Sequence, residues 1–317
     1  MMNDFAIDHH LSRCATEGGR FAVLAIDHRD NLVEAMSEAR GRPVSPTDVI
    51  AFKQSAIRHL ADTGSAVLTD PDYGFPALVR SGIPARFGLL APLEVTDYTR
   101  HPSERETVFI ENWGVERIKA SGCSGVKLLL YYHPHANNAA AQTDLVDRTA
   151  EACRRHDIPF FLEPIVYSLD PGVDLDDAER SDAVVETARH FSRRGVDVLK
   201  VQFPLTPAAP PSTWEPALRN LDDACQVPWA LLSAGVSFDL FLEQTMAACK
   251  AGASGVMVGR AVWAEGAALR GEALDTFMRT TARARMAALA AVCELYGSAW
   301  HASTPRTDID ETWYRNL

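Results

Sequence analysis

The residue that most demands a chemical explanation is Lys200, which interrupts the apolar run Val198-Leu199-Lys200-Val201. An uncompensated ammonium in a buried strand is costly, so this lysine must be paired or reactive. Lys127, inside GVKLLLY, poses the same question. Two ammonium groups converging on one pocket depress each other's pKa, which leaves one neutral enough to attack a carbonyl, as Schiff-base chemistry requires. The alternative is a lysine salt-bridged to a carboxylate on a neighbouring strand. Glu163, closing FFLEP, is the natural acid/base, since a partly apolar pocket raises a carboxyl's pKa toward neutrality; it can also serve as counter-ion to either lysine. Asp27, in LAIDHR, could hold a substrate hydroxyl or help position Lys200, or could be a strand-end cap paired with Arg29. Ser233 and Gly235 (LLSAG) with Gly259 and Arg260 (GVMVGR) offer backbone N–H groups and a guanidinium fork suited to a phosphate; the alternative is that these glycines only make tight turns.

These residues need a scaffold that brings strand ends together. Eight short runs rich in Val, Leu, Ile and Phe alternate with helical periodicity: Phe21–Asp27, Ser65–Asp70, Arg86–Pro92, Gly125–Tyr131, Pro159–Pro164, Asp197–Gln202, Pro228–Ser233 and Gly255–Arg260. Near-continuous apolar runs suit parallel strands covered on both faces, and eight repeats predict a (β/α)8 TIM barrel, with its chemistry at the strand ends. A doubly wound sheet would also alternate, but AIDHRDN stands where a Gly-rich dinucleotide fingerprint would follow the first strand. Helices are predicted over Thr107–Ser121, Gln142–His156, Asp177–Arg194, Ser237–Ala251 and Glu272–Tyr296. No linker divides the chain, so residues 1–317 are expected to form one barrel domain with extensions at about 1–20 and 298–317. The first is expected to be a short helix closing the barrel bottom; Trp300–Leu317 is expected to be a surface tail or subunit contact.

Composition excludes several function classes. A net charge of −11 and the absence of a Lys/Arg cluster argue against nucleic acid. No apolar run approaches the ~20 residues that span a bilayer, and the N-terminus does not read as a secretory signal, so a cytoplasmic protein without membrane contact is expected. The six cysteines are widely spaced and read as reduced core residues. His133 and His135 form a close pair with no carboxylate in tandem, and neither a metal nor another cofactor is expected.

The segments AIDHRDNL, AVLTDPDYG, GVKLLLYY, FFLEP, VDVLKVQFPL, LLSAGVS and GVMVGRAVWAEG, in this order, resemble the tagatose-1,6-bisphosphate aldolase family, which includes sulfofructose-phosphate aldolases. The resemblance spans roughly Phe21 to Gly266. It implies a metal-free class I aldolase, a homo-oligomer acting on a ketose 1-phosphate or 1,6-bisphosphate and releasing dihydroxyacetone phosphate and an aldehyde. By motif, Lys200 corresponds to the Schiff-base lysine and Glu163 to the acid/base. Lys127 and Asp27 fall among the substrate contacts, and Ser233, Gly235, Gly259 and Arg260 in the phosphate loops. Two positions depart from the family pattern: Gln202 replaces the glutamate of LKVE, and His28 stands where relatives often carry glutamine. Both bear on the substrate's hydroxyl and distal-group pocket, where a phosphate, a sulfonate or an uncharged terminus would each be compatible with one more cation such as Arg29. The competing expectations are a metal-dependent aldolase using His133 and His135, a lyase or acyl-transferring relative using the same lysine, and a phosphosugar-binding regulator on the same barrel.

Overall fold

The computed structural model describes residues 4–83, 86–95, 100–303 and 311. Eight parallel strands close a barrel: β1 (Phe21–Ile26), β2 (Ala66–Thr69), β3 (Gly88–Pro92), β4 (Gly125–Tyr131), β5 (Phe160–Ile165), β6 (Val198–Val201), β7 (Trp229–Leu232) and β8 (Gly255–Val258). Each strand pairs with its neighbours in sequence, and β8 returns to β1 with Phe21 opposite Gly255. That closure is tight. A Cβ on Gly255 would lie 1.9 Å from the Phe21 carbonyl oxygen, and its φ of +134° is one that only glycine adopts without strain.

Alternation along the strands separates two apolar layers. Phe21, Val23, Ala25, Ala66, Leu68, Leu90, Phe161, Val198, Ala230 and Met257 point inward and fill the barrel. Ala22, Leu24, Val67, Ala91, Val126, Leu128, Leu199 and Val201 point outward, against the helices. Both faces are therefore apolar, as the unbroken runs predicted. The strands end one or two residues short of several predicted limits, so Asp27, Asp70, Gln202, Ser233 and Arg260 stand just beyond the ladder, at the barrel's C-terminal mouth.

Helices Ala139–Arg155, Asp177–Phe191 and Phe238–Ala251 match prediction closely. Asp176 and Glu179 form a capping box at the start of the second, and the Ser237 hydroxyl caps the third. The predicted helix Thr107–Ser121 is shortened to Val115–Ala120. Val108–Phe109 instead pairs antiparallel with Glu94–Val95, and Ile110 N donates to the Leu93 carbonyl at 2.8 Å. The β-branched and aromatic residues of Val108-Phe109-Ile110 favour that ribbon. It fixes the chain immediately around Glu94. The long C-terminal helix is present as Gly271–Phe277, a π-helical turn Met278–Ala282, and Arg283–Tyr296.

Helix Asp4–Cys14 closes the barrel bottom, with Leu11 and Cys14 packed on the inward layer. Trp300, predicted to begin a surface tail or subunit contact, belongs to that same plug and is fully buried. Its backbone N–H donates to the Gly19 carbonyl at 2.8 Å, which holds Trp300 against the residues before β1. Residues 304–310 and 312–317 of the predicted tail lie outside the described residues.

Candidate active site

The inward layer sets where the chemistry stands. Two residues past inward-facing Val198, Phe161 and Ala25 come Lys200, Glu163 and Asp27, so strand alternation alone aims all three into the mouth. Lys127 enters from β4, where it is in register with Phe161 of β5. Lys200 Nζ lies 2.8 Å from Glu163 Oε1, and Glu163 Oε2 lies 3.0 Å from Lys127 Nζ. Lys127 also meets Glu94 Oε1 at 2.6 Å and Asp27 Oδ2 at 3.1 Å. Glu94 Oε2 accepts the Leu129 N–H at 3.1 Å. One carboxylate thus bridges two lysines, while one lysine ties together three carboxylates.

This arrangement corrects two electrostatic expectations. Burial pushes the Lys127 ammonium down, but Asp27, Glu163 and Glu94 more than reverse it and hold its pKa well above the ordinary lysine value. Lys127 is therefore a fixed cation. Burial pulls Glu163 up, but Lys127 and then Lys200 outweigh it and leave the carboxyl below its ordinary value. The expected rise toward neutrality fails because the pocket supplies two cations at hydrogen-bond distance. Asp27 follows the same pattern, with burial opposed by Lys127 and Lys200 and its carboxyl held below the usual range. Its ion pair is with Lys127, not Arg29. For Glu94, burial wins over Lys127 and the pKa is raised.

Two cavities, of about 240 and 390 Å³, meet at His28, Leu129, Glu163 and Lys200. The larger reaches Ser233, Gly259 and Arg260. There Ala234 and Gly235 both have positive φ, +47° and +81°, turning the chain sharply after β7. A Cβ on Gly235 would come within 3.1 Å of Arg260 Cζ, so the bare glycine lets the guanidinium lie against the loop. The phosphate-type residues predicted from β7 and β8 are thereby brought together. The smaller cavity opens on the other side of Lys200, toward Arg29, Asp72 and Tyr73. Arg29 pairs with Asp72 at 3.6 Å and donates to the Glu94 carbonyl.

His28 joins the two cavities, with its ring edge-on to Trp263 at 5.0 Å. Burial first, then Arg260, Lys200 and Lys53, outweigh Asp27 and lower its pKa to about 3, so the imidazole stays neutral near pH 7. Gln202 lines the larger cavity while its Oε1 accepts the Val166 N–H at 2.7 Å, tying the chain beyond β5 to the end of β6. The His133 and His135 ring centroids are 5.6 Å apart; among the described residues no group of three or more His, Cys, Asp and Glu is arranged to hold a metal ion.

A family model for DeoC/LacD family aldolases matches residues 21–265, which span the whole barrel and both cavities. The chain belongs to the DeoC/LacD aldolases. This aldolase, a carbon–carbon lyase by family, is 32% identical to tagatose 1,6-diphosphate aldolase 2 of Enterococcus faecalis, over 92% of the chain and 95% of that protein. It is 34% identical to a tagatose 1,6-diphosphate aldolase of Listeria monocytogenes, over 88% of the chain and 89% of that protein. Its fold is also that of a Schiff base-forming fructose-1,6-bisphosphate aldolase, with a TM-score of 0.59 at 20% identity, covering 88% of this chain and 99% of that one.

Two buried charged residues behind the aldolase's mouth, Glu94 and Lys53, have no role in the sequence reading. Glu94 owes its contact with Lys127 to the ribbon after β3. Lys53 lies on helix Pro46–Leu60, fully buried; its ammonium contacts Asp70 and donates to the Ile26 carbonyl at 2.8 Å, next to Asp27. A signal for it existed: Lys53 falls in the stripe Val49, Phe52, Ala56, Ile57 and Leu60, an apolar face where a lysine needs a buried partner.

Proposed function

We propose that this aldolase cleaves a ketose 1-phosphate or 1,6-bisphosphate, of the tagatose-1,6-bisphosphate or sulfofructose-1-phosphate type, through a Schiff base on Lys200. The observation that carries the reading is the 2.8 Å contact between Lys200 Nζ and Glu163 Oε1, in a mouth where Lys127 supplies a separate, permanent cation. The nucleophile must be the free amine, and the Glu163 carboxylate is within reach of its proton. Attack on the C2 ketone gives a carbinolamine, and loss of water gives an iminium. Removal of the C4 hydroxyl proton by Glu163, directly or through water, lets the C3–C4 bond break, and the electron pair passes into the iminium to give an enamine. Protonation at C3 and hydrolysis return the amine and dihydroxyacetone phosphate. Ser233, Gly235, Gly259 and Arg260 hold the 1-phosphate, which fixes the ketone over Lys200. The substrate named for the Enterococcus and Listeria relatives supports a phosphorylated ketose. The same reading assigns the chain to the cytoplasm, as one barrel domain in a homo-oligomer, in keeping with six cysteines that form no disulfide.

Borohydride reduction in the presence of dihydroxyacetone phosphate tests it. Mass spectrometry of the digested protein is expected to find the reduced three-carbon phosphate adduct on the peptide containing Lys200. An adduct confined to Lys53 or Lys127, or no adduct, would refute the assignment.

Glu163→Gln is expected to lower kcat by roughly 10²–10⁴, the usual contribution of a positioned acid/base, with a much smaller change in KM because the phosphate loops are untouched. Steady-state kinetics read the split. A loss carried mainly by KM would mean that Glu163 binds substrate rather than moving protons.

A further inference from the structure

The two cavities flanking Lys200 differ in what their cations already hold. In the larger one, Arg260 is exposed and makes no ion pair among the described residues, although Glu34 lines the same space. Its guanidinium is available to a dianion. In the smaller cavity every cation among the described lining residues faces a carboxylate: Arg29 faces Asp72, while Lys127 and Lys200 share Glu163. Asp27 and Asp30 line this cavity too, so four carboxylates oppose three cations. Tyr73, on the same wall, has its phenol pKa raised by burial and then by Asp72, Asp30 and Asp70. A phosphate meeting Arg29 here would sit beside the Asp72 carboxylate, 3.6 Å from the guanidinium.

We infer that the aldehyde half of the substrate carries no phosphate: the smaller cavity takes a neutral, hydroxyl-terminated end, and the physiological ketose is a monophosphate bearing its phosphate only at C1. This rests on the reading that Lys200 forms the Schiff base and that the loops after β7 and β8 hold the 1-phosphate. Charge complementarity decides it. A dianion is repelled by a pocket with excess carboxylate, whereas hydroxyl groups find acceptors in Asp27, Asp30 and Asp72 and donors in Arg29 and Tyr73.

The test runs the reaction as condensation, with dihydroxyacetone phosphate fixed and the aldehyde varied. With the full-length enzyme, kcat/KM for D-glyceraldehyde is expected to exceed that for D-glyceraldehyde 3-phosphate by at least about tenfold, the scale of a single unfavourable charge contact. Asp72→Asn frees Arg29 from its partner and is expected to shift that ratio toward the phosphorylated aldehyde by about tenfold, while leaving the borohydride adduct with dihydroxyacetone phosphate unchanged. Preference of the unaltered enzyme for the phosphorylated aldehyde would overturn the inference, and so would a ratio that Asp72→Asn leaves unmoved. The adduct serves as the separate control. If it forms and the aldehyde preference is reversed, the Schiff-base reading stands and only the monophosphate assignment falls; if it fails to form, both fall together.

Discussion

Lys200→Met is expected to abolish turnover, lowering kcat by roughly four to six orders of magnitude, the scale on which removal of a covalent nucleophile acts. The fold should survive. Methionine fills much of the space of the lysine stem, and Glu163 keeps its contact with Lys127 at 3.0 Å, so no buried carboxylate is stranded. Unfolding free energy should move by no more than about 1 kcal/mol, as for a volume-conserving replacement in a packed interior. Steady-state assay with a ketose phosphate, paired with a urea melt of the same preparation, separates the two effects. Substantial residual cleavage in a folded variant would show that another amine carries the carbonyl, and Lys127 is poorly suited to that task because its surrounding carboxylates keep it protonated.

The scaffold for this chemistry was readable because a parallel barrel leaves an unusual imprint: strands covered on both faces become short, unbroken apolar runs, and a charge inside such a run is conspicuous. Lys127, Glu163 and Lys200 stood out for that reason. Their charge balance did not. It depends on which carboxylates meet which lysine, and those partners arrive from distant segments: Asp27 from the end of β1 and Glu94 from the ribbon after β3. Counting two lysines alone suggested mutual depression of their pKa values, whereas the register places a third carboxylate behind Lys127 and reverses the sign. The surroundings of Arg29 were hidden in the same way. It lines the cavity beside Lys200, and Asp72, from the loop after β2, lies 3.6 Å from its guanidinium. Trp300, expected to begin a surface tail or subunit contact, instead packs in the barrel floor, a placement that no local sequence pattern records.

Lys127→Met is expected to damage the fold far more than Lys200→Met, costing about 3–5 kcal/mol near pH 7.5, because it breaks a buried ionic cluster from one side only. Glu94 loses the cation that held its Oε1 at 2.6 Å, and Asp27 and Glu163 lose the larger of their two opposing charges. The pH dependence should identify this cause. In the unaltered protein the folded pKa values of Asp27 and Glu163 lie below their unfolded ones, so their stabilisation is present above the unfolded values, about 4, and is lost as pH falls through the folded ones. The raised pKa of Lys127 contributes stability that is complete below the unfolded lysine value, about 10.4, and is lost only as pH rises through the folded one. Removing Lys127 strips that opposition from carboxyls whose largest influence is burial, which raises their folded pKa values. A carboxyl with a raised folded pKa contributes stability at low pH and loses it as pH rises. Between pH 5 and 8 Asp27, Glu163 and Lys127 give the parent no slope and Glu94 alone a falling one, so the variant should lose stability with rising pH more steeply than the parent. Urea melts at pH 5, 6.5 and 8 should show the deficit shrinking toward acid, as the stranded carboxylates take up protons. A deficit that stays constant across this range would point instead to lost packing around the lysine stem, and the cluster would then be an arrangement for positioning Glu163 rather than a source of stability.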